Sequence, residues 1–524
     1  MEPGEVKKKL PIGIPTLEKI QTEHCVYIDK TRFVAELVKS GGYYFLSRPR
    51  RFGKSLFLDT LKQAFLGNKA LFKGLYLEKN WDWNKTYPVI HVSFASETHD
   101  VNLLEQNMHE IINRIIRFYQ FDHLLSETLI NVKFSLLIEA LFLKFNQPVV
   151  VLVDEYDKPI LDNIENSENA AYARGLLKSL YSVIKDSDQY LKFVFLTGVS
   201  KFSKAGLFSG LNNLSDITLN ANYADICGYT QADLEREFSH YLTEGNVDKA
   251  TLKLWYNGYN FTGTEHQKVY NPFDILLFFS NNFYYKEYWF ETGNPQFLIK
   301  LIQKNQYYFP NMENTTIIES DLSSFDVDNI PLPNLLFQTG YLTIKKDIML
   351  GTMRGFELTY PNLEVKSSLN NKLAALGSSV EIKNTTIVKL LACLQSSHLA
   401  DLGAIFQSHF ASIPHDWYRN NDIQHYEGFY ASIIYSCFCA LGYSVIAEDN
   451  TNVGKMDLVV TVPDKILILE FKLKKNGDAK SALQQIKNKQ YPEKYASHQK
   501  PIYLVGMSFD AQTRNVHDVV CERY

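Results

Sequence analysis

The sequence predicts an α/β protein with a parallel-sheet domain first, a mostly helical middle region, and a smaller α/β domain last. In the first 225 residues, short apolar strands alternate with amphipathic helical stretches. This alternation is typical of a parallel sheet covered by helices on both faces. After about residue 401, one helix precedes three strand-like runs, and then a helix and another strand follow. The predicted domains are therefore residues 1–225, 226–400 and 401–524.

Composition limits the classes of protein that fit this chain. Its 524 residues include 54 basic and 58 acidic side chains, for a net charge of −4, so any nucleic-acid surface must be local. The six cysteines are scattered without a C-x-x-C pair, which predicts reduced, mostly buried thiols. The N-terminal sequence lacks the apolar core of a signal peptide, and no run reaches the roughly 18 apolar residues of a membrane span. We therefore expect a soluble, cytoplasmic protein.

The first predicted strand leads into a phosphate-binding loop. The strand "YYFLS" is followed by "RPRRFGKS" and then by apolar residues at helical spacing. The loop ends like the G-x-x-x-x-G-K-[ST] pattern, in which backbone amides and a helix N-terminus hold nucleotide phosphates. Lys54 is predicted to reach the β- and γ-phosphates, and the Ser55 hydroxyl to bind Mg²⁺. The residues predicted to bind ATP are Arg50, Arg51, Phe52, Gly53, Lys54, Ser55 and Asp154.

The start of this loop departs from the pattern. Arg48 stands where the first glycine belongs, and Pro49 follows it. Arginine resists the positive φ that glycine allows, and proline has no amide to donate. We therefore expect a weakened loop geometry and not a lost site. Arg50 and Arg51 either add positive charge against a triphosphate or are simply solvated.

Two later strands supply candidate catalytic groups. In "PVVVLVDEYDK", an apolar strand ends in Asp154 and Glu155. Asp154 is expected to hold Mg²⁺ through water, and Glu155 to polarise the attacking water. The strand "FVFLTGVSKFS" ends near Thr197 and Ser200, which either sense a γ-phosphate or have no special role. Together, the loop and the acidic strand end predict a nucleotide site.

Four segments carry a resemblance to a known family. "LPIGIP", "YIDKT", "RPRRFGKS" and "DEYDKPI" closely resemble the AAA-ATPase-like family, and "VYNPF", "FQTGYLTI" and "YPNLEV" extend the resemblance through the middle of the chain. The resemblance implies a divergent P-loop NTPase domain followed by a C-terminal PD-(D/E)XK domain of the restriction-endonuclease-like fold. It also implies that arginine at position 48 is the usual form. By analogy with related ATPases, Ile12 to Ile14 is expected to line the adenine pocket.

The C-terminal region fits the PD-(D/E)XK template that this resemblance implies. Asp457 lies on one predicted strand, and Glu470 and Lys472 share one face of the next, because side chains alternate along a strand. Asp457 and Glu470 are expected to bind Mg²⁺, and Lys472 to orient hydroxide or stabilise transition-state charge. Glu427 in the preceding helix is a further candidate metal ligand. The alternative is an ordinary same-face ion pair between Glu470 and Lys472.

Residues downstream of this site give weaker signals. Gln485 and Tyr491 resemble a Gln–Tyr helix motif of recombination nucleases, although their spacing departs from it. The segment between positions 471 and 500 contains eight lysines and only two acidic residues, Asp478 and Glu493. This excess of positive charge suits binding to a phosphate backbone but equally suits a solvated helix. The aromatic segments of the middle region either stack on bases or pack in the core.

These observations favour an ATP-binding enzyme, an ATPase, that controls or powers a Mg²⁺-dependent nuclease domain. Its expected partner is nucleic acid, with DNA favoured over RNA, and no membrane; the chain is compatible with a homo-oligomer or a protein partner. The alternative is a nucleotide-dependent switch whose C-terminal domain binds nucleic acid or a protein without cleavage. The catalytic candidates are Glu155, Asp457, Glu470 and Lys472, and the metal candidates are Ser55, Asp154, Glu427, Asp457 and Glu470.

Overall fold

A computed structural model of the chain describes residues 7–95, 101–202, 207–208, 211, 213–264, 267–291, 308–323, 330–376, 378–396, 399–413 and 427–524. The chain divides into two compact units. The N-terminal unit comprises Met1–Thr292 and Thr316–Asn362, and the C-terminal unit comprises Gly293–Thr315 and Leu363–Tyr524. This division differs from the three domains expected from the sequence, since the middle region is shared between the two units.

The N-terminal unit is built on a five-stranded parallel sheet with the order β2-β3-β4-β1-β5. The strands are β1 (Gly42–Ser47), β2 (Val89–Ser93), β3 (Val149–Asp154), β4 (Leu191–Gly198) and β5 (Leu214–Asp216). Every residue of β3 is buried, as expected for a central strand covered on both faces. The predicted parallel sheet is confirmed. Because its strands run in one direction, their carboxyl ends meet at one edge.

Helices surround this sheet. They are α1 (Leu17–Thr22), α2 (Thr31–Ser40), α3 (Lys54–Phe65), α4 (Val101–Phe118), α5 (Ile130–Phe145), α6 (Lys158–Leu161) and α7 (Ser167–Asp186). The first turn of α3 follows β1 after a loop of six residues, 48–53, so the predicted strand–loop–helix arrangement is present. Short 3-10 helices occur at Lys69–Phe72, Tyr76–Glu78, Asp122–Ser126, Asp188–Tyr190 and Ala221–Tyr223.

The rest of this unit combines helices with a second sheet. The helices are α8 (Gln231–Glu237), α9 (Ser239–Glu244), α10 (Lys249–Tyr256), α11 (Pro272–Ser280), α12 (Tyr288–Glu291), α13 (Glu319–Ser323) and α14 (Leu332–Thr339). The sequence has threonine at position 230 and aspartate three residues later, which is a pattern that predicts a capping box, and Thr230 and Asp233 form one at the start of α8. The antiparallel sheet β6 (Thr316–Ile318), β7 (Thr343–Leu350) and β8 (Met353–Thr359) was not predicted. Its exposed lysines, Lys345 and Lys346, hide the strand pattern.

The C-terminal unit carries a mixed five-stranded sheet with the order β13-β12-β11-β10-β9. Its strands are β9 (Ser444–Asn450), β10 (Lys455–Thr461), β11 (Ile466–Leu473), β12 (Ile502–Asp510) and β13 (Asn515–Arg523). Only the β11–β12 pair is parallel. The helices are α15 (Leu363–Leu373), α16 (Val380–Gln395), α17 (Leu402–Ala411), α18 (Glu427–Ala440) and α19 (Ala479–Asn488). The predicted helix–three-strand–helix–strand order is present, and β13 adds a strand. The first two residues of the predicted helix, 425 and 426, lie outside the described residues.

Two further features bear on the sequence predictions. All six cysteines are free, and five of them are buried. Within the described ranges, none of the helices combines the length and the apolar character that crossing a bilayer requires.

Candidate functional site

Arg48 is a buried structural residue at the start of the loop between β1 and α3. Its side chain is 1% exposed. The guanidinium donates hydrogen bonds to the carbonyl oxygens of Ser47 at 2.9 Å, Thr218 at 2.8 Å and Tyr223 at 3.1 Å. It also lies 3.9 Å from the centre of the Phe261 ring, and burial lowers the pKa of Arg48 to about 10. The expectation that Arg48 weakens the loop geometry is therefore wrong: the positive φ angles fall later in the loop, at Arg51 (70°) and Gly53 (91°).

Lys54, the lysine predicted to bind phosphate, is held by the loop itself. Lys54 Nζ donates hydrogen bonds to the carbonyl oxygens of Arg48 at 2.8 Å and Pro49 at 2.9 Å. Burial lowers the pKa of Lys54, and the nearby Asp154 carboxylate opposes this shift. The Phe52 side chain packs edge-on against Tyr259 at 4.8 Å between ring centres, so only its backbone remains available for a phosphate.

A cavity of about 430 Å³ opens where this loop meets the carboxyl end of β3. Its polar lining comprises Arg50, Arg51, Gly53, Lys54, Ser55, Glu155 and Lys158. Its apolar lining comprises Pro11, Ile14, Pro15, Ala95, Leu56, Tyr229, Pro272, Phe273 and Leu276, with Gly13 between the two prolines in sequence. The sequence patterns predict most of the polar residues and the segment around Ile14. They predict no role for Lys158, Tyr229, Pro272 or Phe273, although "VYNPF" contains two of these residues.

Asp154 and Glu155 take up different positions at the end of β3. Asp154 is buried, and its Oδ1 accepts a hydrogen bond from the Glu155 backbone amide at 3.0 Å. Glu155 has a φ of 52°, which is unusual for a residue other than glycine and turns the chain sharply. Its side chain lines the cavity, and burial raises its pKa, with a further contribution from Asp154. A raised pKa makes a carboxylate a better proton acceptor near neutral pH.

Thr197 and Ser200 already have partners inside the protein. The Thr197 hydroxyl donates to the carbonyl oxygen of Leu46 at 3.0 Å, and the Ser200 hydroxyl donates to Asp157 Oδ2 at 2.6 Å. Asp157 also accepts from the backbone amides of Val199 and Ser200. The Asp157 contacts join the turn after β3 to the loop after β4, and the Thr197 contact joins β4 to β1, so both hydroxyls have structural roles. A single sequence does not reveal these roles, because the hydrogen-bond partners are more than 40 residues apart.

In the C-terminal unit, Asp457 and Glu470 lie on the neighbouring strands β10 and β11. Leu458 pairs with Leu469, so the next position along each strand places Asp457 opposite Glu470. Asp457 Oδ2 accepts a hydrogen bond from the Phe471 backbone amide at 2.7 Å. Lys472 Nζ lies 3.3 Å from Glu470 Oε1, forming an ion pair on the same strand. The three residues predicted from the acid and acid-x-lysine pattern are therefore brought together.

The two carboxylates are poorly neutralised. Burial raises the pKa of both Asp457 and Glu470, and the Asp457 charge raises that of Glu470 further. Glu470 is 1% exposed, and within the described part of the chain its Oε2 has no hydrogen-bond partner. An unpaired buried carboxylate oxygen is costly, and oxygen ligands of this kind are those that Mg²⁺ prefers. Asp457 and Glu470 thus fit a divalent cation.

Glu427 contacts the end of β11, and its charge is close enough to Asp457 to raise the pKa of that carboxyl. Its Oε2 accepts a hydrogen bond from the Leu473 backbone amide at 2.8 Å. Among the residues that the structure describes, no group of three or more histidine, cysteine, aspartate or glutamate side chains is arranged to hold a metal. The predicted site therefore has two gathered carboxylates, with Glu427 bound to the end of β11.

Gln485 and Tyr491 surround the same strand pair. Gln485 Nε2 donates to Glu470 Oε1, and the Tyr491 hydroxyl donates to the carbonyl oxygen of Lys455 at 2.8 Å. Helix α19 can approach β12 closely because the residue of β12 that faces the start of the helix is Gly506. A Cβ at that position would lie 2.1 Å from the carbonyl oxygen of Ala479.

The lysine-rich segment is less basic than its sequence indicates. Four of its eight lysines are in ion pairs: Lys472 with Glu470, Lys474 with Asp510, Lys487 with Glu522 and Lys494 with Asp449. Two more, Lys489 and Lys500, donate to backbone carbonyl oxygens. These contacts reduce the positive charge that the segment can offer to a phosphate backbone.

Comparisons with known proteins match two separate parts of the chain to two known families. The family described as predicted AAA-ATPase matches residues 11–208, and the PD-(D/E)XK nuclease superfamily matches residues 425–519. A relative from Azotobacter chroococcum mcd 1, described as an uncharacterized protein in the vnfD 5′ region, is 44% identical over 520 residues. The alignment covers 98% of this chain and 99% of that protein. No solved structure matches this chain.

Proposed function

Because this chain belongs to the AAA-ATPase-like family that carries a PD-(D/E)XK nuclease superfamily domain, we propose that it is an ATPase that controls or powers a Mg²⁺-dependent nuclease. The observation that carries the proposal is the cavity of about 430 Å³ in which Lys54, Ser55 and Glu155 meet at the carboxyl edge of a parallel sheet. A cavity at this edge is the usual ligand site of an open α/β sheet.

In the N-terminal unit, each residue has a separate proposed role. Lys54 exchanges its bonds to the carbonyl oxygens of Arg48 and Pro49 for the β- and γ-phosphates. Ser55 and Asp154 hold Mg²⁺, whose charge offsets the negative charge on the phosphates. Glu155 accepts the proton of the attacking water, a role that its raised pKa favours.

In the C-terminal unit, Asp457 and Glu470 hold a divalent cation, with Glu427 as a further ligand after it releases the Leu473 amide. A divalent cation held there would polarise a phosphodiester and would lower the pKa of a bound water. Lys472 leaves Glu470 and stabilises charge on the phosphoryl group being attacked. DNA is the proposed substrate. We also propose that the protein acts in the cytoplasm.

A nucleotide-binding experiment tests the first half of the proposal. Calorimetry with ATP and Mg²⁺ is expected to show binding to the wild type, no binding to Lys54→Ala, and retained binding to Glu155→Gln. Phosphate release should stop in Glu155→Gln, because the amide keeps the shape of the side chain but accepts no proton. A well-folded wild type that binds no nucleotide would refute this half.

A cleavage assay separates the proposed nuclease from the alternative, a nucleotide-dependent switch that binds nucleic acid or a protein without cutting. Purified protein is incubated with labelled DNA or RNA in Mg²⁺ or in EDTA. Mg²⁺-dependent cleavage that is lost in Asp457→Ala supports the nuclease. Retained DNA binding without cleavage in either protein would favour the switch, which draws its support from the ion-paired state of Lys472.

A further inference from the structure

The lining of the nucleotide cavity is apolar in part, and the proposed phosphate chemistry does not account for this part. Ile14, Pro272 and Phe273 belong to the apolar lining, whereas Lys54 and Ser55 belong to the polar lining. Ligand pockets with this division bind molecules that have a charged part and an apolar, often aromatic, part. In a nucleoside triphosphate, the aromatic part is the base. The apolar lining therefore has a chemistry that suits a base next to a triphosphate.

The segment that carries Phe273 is fixed to the phosphate-binding loop through several contacts. The Gly228 amide donates to the carbonyl oxygen of Phe52 at 3.2 Å, and Tyr229 and Tyr270 pair through two backbone hydrogen bonds of 3.2 and 2.8 Å. Gly228 has a φ of 89°, and a Cβ there would lie 2.8 Å from Val269 Cγ2. These two constraints favour glycine at this crossing, and the crossing brings residues 270–273 to the cavity.

The start of α11 then sets the direction of the Phe273 ring. The buried Asn271 side chain caps the helix by accepting a hydrogen bond from the Phe273 amide at 2.9 Å. Pro272 occupies the first helical position, where its missing amide costs nothing. The half-buried Phe273 side chain lines the cavity, and the Arg51 guanidinium lies 4.8 Å from the centre of its ring. Phe273 thus belongs to the apolar lining of the cavity and also contacts the phosphate-binding loop through Arg51.

We propose that Phe273 is the base-stacking residue of the nucleotide site, and that Pro272 and Ile14 complete the apolar wall around the base of a nucleoside triphosphate. Arg51 links the polar and the apolar lining, because it belongs to the phosphate-binding loop and its guanidinium contacts the Phe273 ring. This inference rests on the proposed nucleotide-binding function. It adds Pro272 and Phe273 to the residues that recognise the base, and these two lie about 220 positions after the loop that recognises the phosphates.

Calorimetry with two ligands separates recognition of the base from recognition of the phosphates. ATP carries both parts, and tripolyphosphate carries the phosphate charges without a base; each is titrated in the presence of Mg²⁺. Aromatic stacking on a base is worth enough that Phe273→Ala should weaken ATP binding at least about fivefold. Binding of tripolyphosphate should change less than about twofold, since the polar lining is untouched. Phe273→Trp should retain ATP binding because it keeps an aromatic face.

Leu277→Ala is the matched control, because Leu277 lies on the same helix, is partly buried and does not line the cavity. It should bind both ligands like the wild type. If Phe273→Ala does not fold, Phe273→Leu replaces it, since leucine keeps the apolar volume without the aromatic face. Equal ATP binding by wild type and by a folded Phe273→Ala or Phe273→Leu would overturn this inference alone. So would a wild type that binds tripolyphosphate as tightly as ATP. Binding of neither ligand by the wild type would overturn the nucleotide-binding function and this inference together.

Discussion

Replacing Glu470 by glutamine should stabilise the C-terminal unit at neutral pH when no divalent cation is present. In the folded unit, burial raises the pKa of Glu470 and of Asp457 above their ordinary values of 4.5 and 3.8. The folded unit therefore binds protons more tightly than the unfolded chain. Its stability is complete below about pH 4 and decreases as the pH rises through the raised pKa values. Glutamine removes the charge of one carboxyl and keeps its shape.

The magnitude follows from the proton affinities. Each tenfold difference in proton affinity between folded and unfolded states is worth about 1.4 kcal/mol. A single such difference shifts the melting temperature of a unit of 150–250 residues by about 3–6 °C. The measurement is thermal unfolding in EDTA at several pH values from about 5 to 8. Between about pH 5 and pH 8, the melting temperature of the wild type should decrease by at least about 3 °C more than that of Glu470→Gln.

Two comparisons make this result specific. Glu522→Gln is the control, because Glu522 is an exposed acid of the same unit whose carboxylate pairs with Lys487 at 2.6 Å; it should follow the wild type. Mg²⁺ should raise the melting temperature of the wild type and of Glu522→Gln, but not that of Glu470→Gln. Parallel curves for wild type and Glu470→Gln across this pH range would refute the reasoning, since the carboxylate pair would then carry no uncompensated charge.

Three further predictions follow from buried residues. Arg48→Ala should destabilise the N-terminal unit by at least about 3 kcal/mol in urea unfolding, because three buried carbonyl oxygens lose a charged donor; a change below about 1 kcal/mol would contradict the structural role of Arg48. Gly198→Ala should lower ATPase activity and stability together, because its Cβ would lie 2.4 Å from Asp157 Oδ1 and 2.6 Å from the Tyr156 ring; wild-type melting and turnover would argue against this close approach. His409 is fully buried, and burial lowers its pKa to about 4. Because the pKa of His409 is lower in the folded state, its contribution to stability is present above about pH 6.5 and decreases on acidification. On going from above about pH 6.5 to pH 4.5, the wild type should therefore lose about 2–3 kcal/mol of unfolding free energy relative to His409→Gln. Unfolding of both proteins at these two pH values measures the difference.

The sequence predicted the parts of the fold that depend on local pattern. The buried strand that ends in Asp154 is continuously apolar, and the capping box at Thr230 uses residues three positions apart, so both are visible in a short window. The three-residue strand β5 and the charged strand β7 carry no such pattern. Their positions depend on pairing with distant segments, which a single sequence does not reveal.

The same distinction applies to the site. Lys54, Glu155, Asp457 and Glu470 were predicted because their chemistry is tied to a fixed local spacing. The role of Arg48 depends on carbonyl oxygens that lie about 170 residues away. The position of Phe273 depends on backbone pairing between Tyr229 and Tyr270. Both were missed because the pattern of the loop is local, whereas the folded chain surrounds the loop with segments from far along the sequence, which include Thr218, Tyr223 and residues 228–273.

The last prediction concerns coupling between the two proposed sites. One chain carries both, but allosteric coupling exists only if each ligand biases the same two states. A saturating non-hydrolysable ATP analogue should change the rate of DNA cleavage at least about fivefold, which corresponds to roughly 1 kcal/mol of coupling. Lys54→Ala should abolish this change while any basal cleavage persists, and Asp457→Ala should abolish cleavage while ATP hydrolysis persists. Cleavage that ignores both the analogue and Lys54→Ala would mean that the two domains act independently, even with both sites active.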